Sequence, residues 1–172
     1  MSLSRDLFHH ASNLLREPVP EQRDDATMRR AVSACYYALF HQIKEDAASL
    51  IAPNVPAEVN HRIQRWFEHA EMKNVCGRFL NAKLDQPLLG LIGPAATNEL
   101  QLVCRTFIQL QDARHSADYD LGYTLTSSAC SQFLRDTFIS MFTWDKIKNS
   151  AEANVFILSL LLWKNWEQKE RR

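Results

Sequence analysis

Four glycines in 172 residues is the feature that most limits how this chain can fold. Average usage of ~7% would place about 12 in a chain of this length. Hairpins and open sheets spend glycine at tight turns and bulges, where the backbone takes dihedral angles that other residues resist. A chain so short of it is expected to be all helix. The four positions, Gly77, Gly90, Gly93 and Gly122, also fit neither a Walker A loop nor a dinucleotide-binding turn. No phosphate-cradling loop is expected, and no cofactor.

Apolar periodicity supports the same reading. Leu3, Leu7, Leu14 and Leu15, with Phe8 and Ala11 beside them, share a face of a first helix that ends near Arg16, before Pro18 and Pro20. Asp24 or Asp25 can cap a long second helix over about residues 25–51, with Met28, Val32, Cys35, Leu39 and Ile43 as its ladder and Pro53 after it. Pro56 suits the first position of a third helix, whose face would be Val59, Ile63, Trp66 and Phe67. A short helix comes next, from Met72 to Leu80, with Gly77 as a break point. Residues 83–93 read as a loop with buried leucines. Pro94 would open a helix carrying Leu100, Val103, Cys104, Phe107 and Leu110 to at least Arg114. After the Asp120–Tyr123 turn, Thr126 or Ser127 can cap a helix with Cys130, Leu134, Phe138, Met141 and Phe142. A last helix covers about Ala151 to Gln168. The expected fold is an all-α, up-and-down bundle of five to seven helices, in a single domain over residues 1–172.

Charge and cysteine usage narrow the setting. Twenty Lys and Arg balance twenty Asp and Glu. A dedicated duplex-binding domain would be basic, so any nucleic-acid contact would be confined to a local patch. Cys35, Cys76, Cys104 and Cys130 are dispersed, with no C-x-x-C pair, which suits buried, reduced thiols in a cytoplasmic protein. No signal peptide is visible. The most apolar run, Val155 to Trp163, is shorter than the ~20 residues that span a bilayer. Nine nearly all apolar positions cannot hide on one helix face, so this run is expected to meet a partner chain.

Two segments carry more chemistry than their surroundings. In Arg29–His41, the residues Arg30, Tyr37, His41 and then Lys44 step by seven, four and three, so they share one helix face roughly opposite the apolar ladder. Such a stripe is either an interhelical hydrogen-bond network or the wall of a site. In Gln111–Asp120, a continuing helix makes Arg114 and Asp118 i,i+4 partners, and likewise His115 and Tyr119. One turn would then hold a guanidinium, an imidazole, a carboxylate and a phenol. Imidazole and guanidinium are the groups an RNA-cleaving site uses, to move protons and to stabilise the charged phosphorane-like state. The alternative is a helix end with salt-linked side chains near solvent.

At these two segments, Arg29–His41 and Ala113–Asp120, the sequence resembles the HEPN superfamily of prokaryotic helical bundles. The resemblance implies an up-and-down bundle, often a homodimer, acting with RNA or nucleotides in toxin–antitoxin, defence or stress systems. A neighbouring nucleotidyltransferase-type antitoxin is an implied protein partner. The catalytic branch is a metal-independent ribonuclease that places an Arg and then a His with four to six residues between them. Here the positions at that distance from Arg114 are Tyr119, Asp120 and Leu121, and His115 is adjacent instead. Neighbouring residues point ~100° apart on a helix, so Arg114 and His115 do not reproduce that constellation. The spacing does occur at Arg5…His10 and Arg62…His69, outside the matching segment.

Three readings follow. The first is a non-catalytic or degenerate HEPN-like bundle that dimerises and presents the Arg114–Tyr119 surface to RNA, a nucleotide or a protein. The second is a ribonuclease toxin using Arg114, His115, Asp118 and Tyr119, supported by Arg30, Tyr37 and His41. The third is a structural adaptor in which these groups only knit two helices together. His61 and His69, spaced by eight with Trp66 and Phe67 between them, lack the carboxylate of a metal motif, and no metal site is expected.

Overall fold

A computed structural model describes residues 2–16, 24–81, 84, 90, 92–93 and 95–170, with side chains as far as Leu162. These residues form an all-α helical bundle without a strand. Its main helices are α1 (Leu3–Arg16), α2 (Asp25–Ile51), α3 (Ala57–Gln64), α4 (His69–Leu80), α5 (Asn98–Tyr119), α6 (Ser127–Ile147) and α7 (Ala151–Glu170).

Side-chain oxygens start most of these helices. Asp24 accepts from the Thr27 amide at 2.7 Å and from the Thr27 hydroxyl at 2.9 Å, so it is the cap of α2. These bonds favour its ionised form and hold its carboxyl below the ordinary value. Thr126 caps α6 through the Ala129 amide at 3.1 Å, and Ser150 caps α7 through the Ala153 amide at 3.1 Å. Helix α5 begins at Asn98 rather than at Pro94, which lies outside the described residues, as does most of the 83–93 segment. Thr97 is its cap: the hydroxyl accepts from the Leu100 amide at 3.3 Å, while Glu152 takes the Thr97 amide at 2.7 Å and hydroxyl at 2.6 Å. Pro56 is the residue before α3 rather than its first, and Gly77 lies within an unbroken α4.

The chain forms two compact units, residues 1–42 with 106–142, and residues 43–105 with 143–172. The first unit has a core of Leu15, Met28, Ala31, Val32, Ala113, Ala117, Leu125 and Cys130. The small Ala31, Ala113 and Ala117 let α2 and α5 pack closely, since interaxial distance follows the side chains at the contact. Further along the same pair, Tyr36 lies 5.6 Å from Phe107, ring to ring. Burial pushes the Cys35 thiol up to about 12, against a smaller lowering from the nearby Thr137 hydroxyl.

In the second unit α4 packs on α7, with Phe79 edge-on to Phe156 at 5.2 Å. Trp144 is wholly buried against Phe156 and donates its indole N–H to Asp46 at 3.0 Å. Lys148 closes the group, reaching Asp46 at 3.1 Å and Asp145 at 3.0 Å. Cys76 and Cys104 are buried here, and all four cysteines are free thiols.

Several expected faces are not covered as periodicity suggests. Within α3, Val59 is exposed while Ile63, one turn on, is buried. Trp66 is exposed and Phe67 buried, because α3 ends at Gln64 and a turn changes the facing of the residues after it. Phe138 and Phe142 are more than half exposed on α6, and Leu3 is half exposed on α1. The C-terminal run behaves in the opposite way. Val155, Phe156, Ile157 and Leu160 are buried within the chain, leaving Leu158 and Leu162 outside. Most of the run up to Leu160 is thus covered within the chain, and the apolar surface it leaves is that of Leu158 and Leu162. No helix among the described residues is long and apolar enough to cross a membrane.

Candidate functional site

The polar stripe of α2 and the last turns of α5 meet within the first unit. Helix α5 continues unbroken through Gln111–Tyr119, so Arg114 and Asp118 are i,i+4 neighbours. Arg114 Nε lies 2.7 Å from Asp118 Oδ2. This is an ion pair without a directed hydrogen bond, because the Nε–H does not point at the carboxylate oxygen. Another nitrogen of the same guanidinium donates to the Tyr37 hydroxyl of α2 at 3.0 Å. Ser33, also on α2, donates to Asp118 Oδ1 at 2.8 Å. The α5 pair is thus held from both ends by α2.

Two rings frame the guanidinium. Its Cζ lies 5.5 Å from the centroid of Tyr37 and 5.5 Å from that of Tyr119, within cation–π range. Burial opposes the charge, but Tyr37, Asp118 and Tyr119 outweigh it and hold Arg114 above its ordinary pKa. The side chains of Arg114 and Asp118 are 23% and 25% exposed. That is between a solvated surface pair and a buried one.

The other expected residues sit around this centre. His115 is exposed and lies against Tyr119, ring to ring at 5.0 Å. Tyr119 itself is 66% exposed. His41 lies one turn beyond Tyr37 with the rings 6.3 Å apart, so its contact with the centre runs through that ring. Arg30 is exposed and lines an open cleft of about 370 Å³ with Ala26, Arg29, Ala117 and Asp118. Lys44, the next step of the stripe, belongs to the second unit. Of the alternative spacings, Arg5 and His10 both lie on α1 and are exposed, whereas the second pair is broken. Arg62 is on α3 and His69 opens α4, so they share no helix, and the same break separates His61 from His69. Among the described residues no cluster of three His, Cys, Asp or Glu could hold a metal.

Two residues of this region were not picked out by spacing. Ser33 lies on the Arg30–Tyr37 stripe, three after one and four before the other, so the periodicity contained it. Arg29 carried no such signal, because it points ~100° away from that stripe. Its guanidinium donates to the carbonyls of Ala117 at 2.7 Å, Asp120 at 3.0 Å and Tyr123 at 2.8 Å, and pairs with Asp25. A cation at a helix C-terminus also meets the negative end of the dipole. Arg29 therefore ends α5 and shapes the turn after it.

Searches of family models, of curated proteins and of solved structures returned no match to this chain.

Proposed function

We propose that the chain is a non-catalytic, HEPN-like helical bundle. It acts as a homodimeric binding module, presenting the His115–Tyr119 face of α5 in a toxin–antitoxin, defence or stress system. One observation carries the non-catalytic part: the Arg114 guanidinium is committed within the protein, to Asp118 at 2.7 Å and to Tyr37 at 3.0 Å. A group that stabilises a developing phosphorane-like charge must be preorganised towards the reacting phosphate. Here an aspartate already occupies that electrostatic role. His115 is directed to the Tyr119 ring, at the surface of α5.

The test has two arms. Single-stranded RNA incubated with the protein in EDTA should remain intact. Cleavage that disappears in both Arg114→Ala and His115→Ala would establish the ribonuclease reading instead. Light scattering at tens of micromolar, a concentration range where weak homodimers form, should give a dimer mass, and a monomer mass would refute that part.

The adaptor reading has an observation of its own. Ser33–Asp118 and Tyr37–Arg114 cross-link α2 and α5, so part of this cluster serves stability whatever the surface binds.

A further inference from the structure

The end of α5 displays an apolar side chain on a turn that is built to stay in place. Leu121 is 97% exposed. It sits between Asp120 and Gly122, and Asp120 Oδ1 accepts from the Gly122 amide at 2.8 Å. The Tyr123 amide donates to the Asp120 carbonyl at 3.3 Å. From α2, Arg29 holds the carbonyls of Ala117, Asp120 and Tyr123, which bracket the turn on both sides. Closing a helix end needs fewer bonds than this. Two positions before Leu121, Tyr119 presents a ring that is 66% exposed, and His115 packs on it.

A single exposed leucine on a mobile loop would be ordinary. A leucine and a tyrosine held on one fixed segment are different, because their ordering cost is met before any partner arrives. Tyrosine is also enriched among residues that carry interface energy. The charge around them selects the kind of partner. Segment 111–123 has three carboxylates, Asp112, Asp118 and Asp120, against one guanidinium, Arg114. Both nearby arginines that pack inward, Arg29 and Arg114, are engaged with carbonyls, carboxylates or the Tyr37 hydroxyl. Asp118 is taken up by Arg114 and Ser33 in turn, so the surface balance is Asp112 and Asp120 against the exposed Arg30. A phosphate backbone would still meet net negative charge here, whereas a Lys or Arg side chain would find the Asp120 carboxylate beside the anchor.

We infer that the Tyr119–Leu121 turn is a docking anchor for a protein partner, one offering an apolar pocket bordered by basic side chains. This rests on the reading of the chain as a binding module and names the class of partner it takes.

Fluorescence anisotropy on the full chain tests it with three labelled probes: a Lys/Leu amphipathic peptide, its Glu/Leu counterpart, and a 2′-O-methyl oligouridine that cannot be cleaved. The Lys/Leu peptide should bind in preference to the other two. Leu121→Ser should weaken it about tenfold with an unchanged melting temperature, and Tyr119→Ser should weaken it to a similar degree with a small loss in melting temperature, because its ring also faces the Arg114 guanidinium. The inference is overturned if the oligouridine or the Glu/Leu peptide binds as well as the Lys/Leu peptide, if no probe binds, or if Leu121→Ser binds like the parent chain. A chain that cuts ordinary RNA yet passes this peptide test would lose the non-catalytic reading and keep the anchor.

Discussion

Replacing Arg29 by Ala isolates the contribution of one side chain that no spacing rule identifies. The change removes hydrogen bonds to the carbonyls of Ala117, Asp120 and Tyr123. Those to Ala117 and Tyr123 are partly buried, and each should contribute about 1–1.5 kcal/mol net. The bond to Asp120 is exposed, and water can replace it at little cost. The Asp25 partner is 59% exposed, so that ion pair adds at most about 0.5 kcal/mol. The expected loss is about 2–3 kcal/mol, or about 5–10 °C in Tm for a chain of this size. Urea and thermal unfolding followed by circular dichroism would measure it, with Arg30→Ala as the control. Arg30 is exposed on the next position, and its loss should cost under about 0.5 kcal/mol. Arg29→Lys should recover less than half of the loss, because an ammonium cannot span carbonyls that a planar fork reaches together. Amide exchange at Gly122 and Tyr123 should quicken in Arg29→Ala. A variant as stable as Arg30→Ala, with unchanged exchange in the turn, would refute the clamp.

Two further outcomes rest on the packing. Burial lowers the Lys148 pKa, but Asp145 and Asp46 more than reverse this and leave it above its ordinary value. A raised folded pKa means that the stabilisation is whole below the ordinary lysine value and is lost as pH rises through the folded one. Unfolding at alkaline pH should therefore show a decline that Lys148→Met lacks, and parallel pH profiles would contradict it. The four thiols are buried, and Cys35 and Cys104 are held above their ordinary pKa by desolvation. A disulfide reagent at neutral pH should label none of them rapidly in the native chain and all four after unfolding; one fast thiol would show a site opening that this packing does not allow.

The features legible in the sequence were mostly local. Periodicity and capping placed α2 at its observed bounds, since the Asp24 cap and the Pro53 stop act within a few residues. The sequence carried the next helix to at least Arg114, and the i,i+4 pairing of Arg114 with Asp118 followed on the condition that it continue, which it does as far as Tyr119. The meeting of Tyr37 with Arg114 was not readable, because a stripe on one helix says nothing about which helix it faces. Exposure was the weakest inference. Phe138 and Phe142 lie at core-like spacing yet face outward, whereas the run from Val155 to Leu160 is buried mostly inside the chain. Spacing defines a face, and only packing decides whether that face is covered. Arg29 illustrates the same limit for polar groups: its partners are backbone carbonyls about ninety positions away, which carry no side-chain signature.

The central claim is that Arg114 works inside the protein, as a cross-link from α5 to α2. A double-mutant cycle on Arg114→Ala and Tyr37→Phe, read by urea unfolding, measures that link directly. The account predicts a coupling of about 0.5–1.5 kcal/mol between the two changes. Effects that add to within about 0.3 kcal/mol would contradict it, and would leave the Arg114 guanidinium available for chemistry.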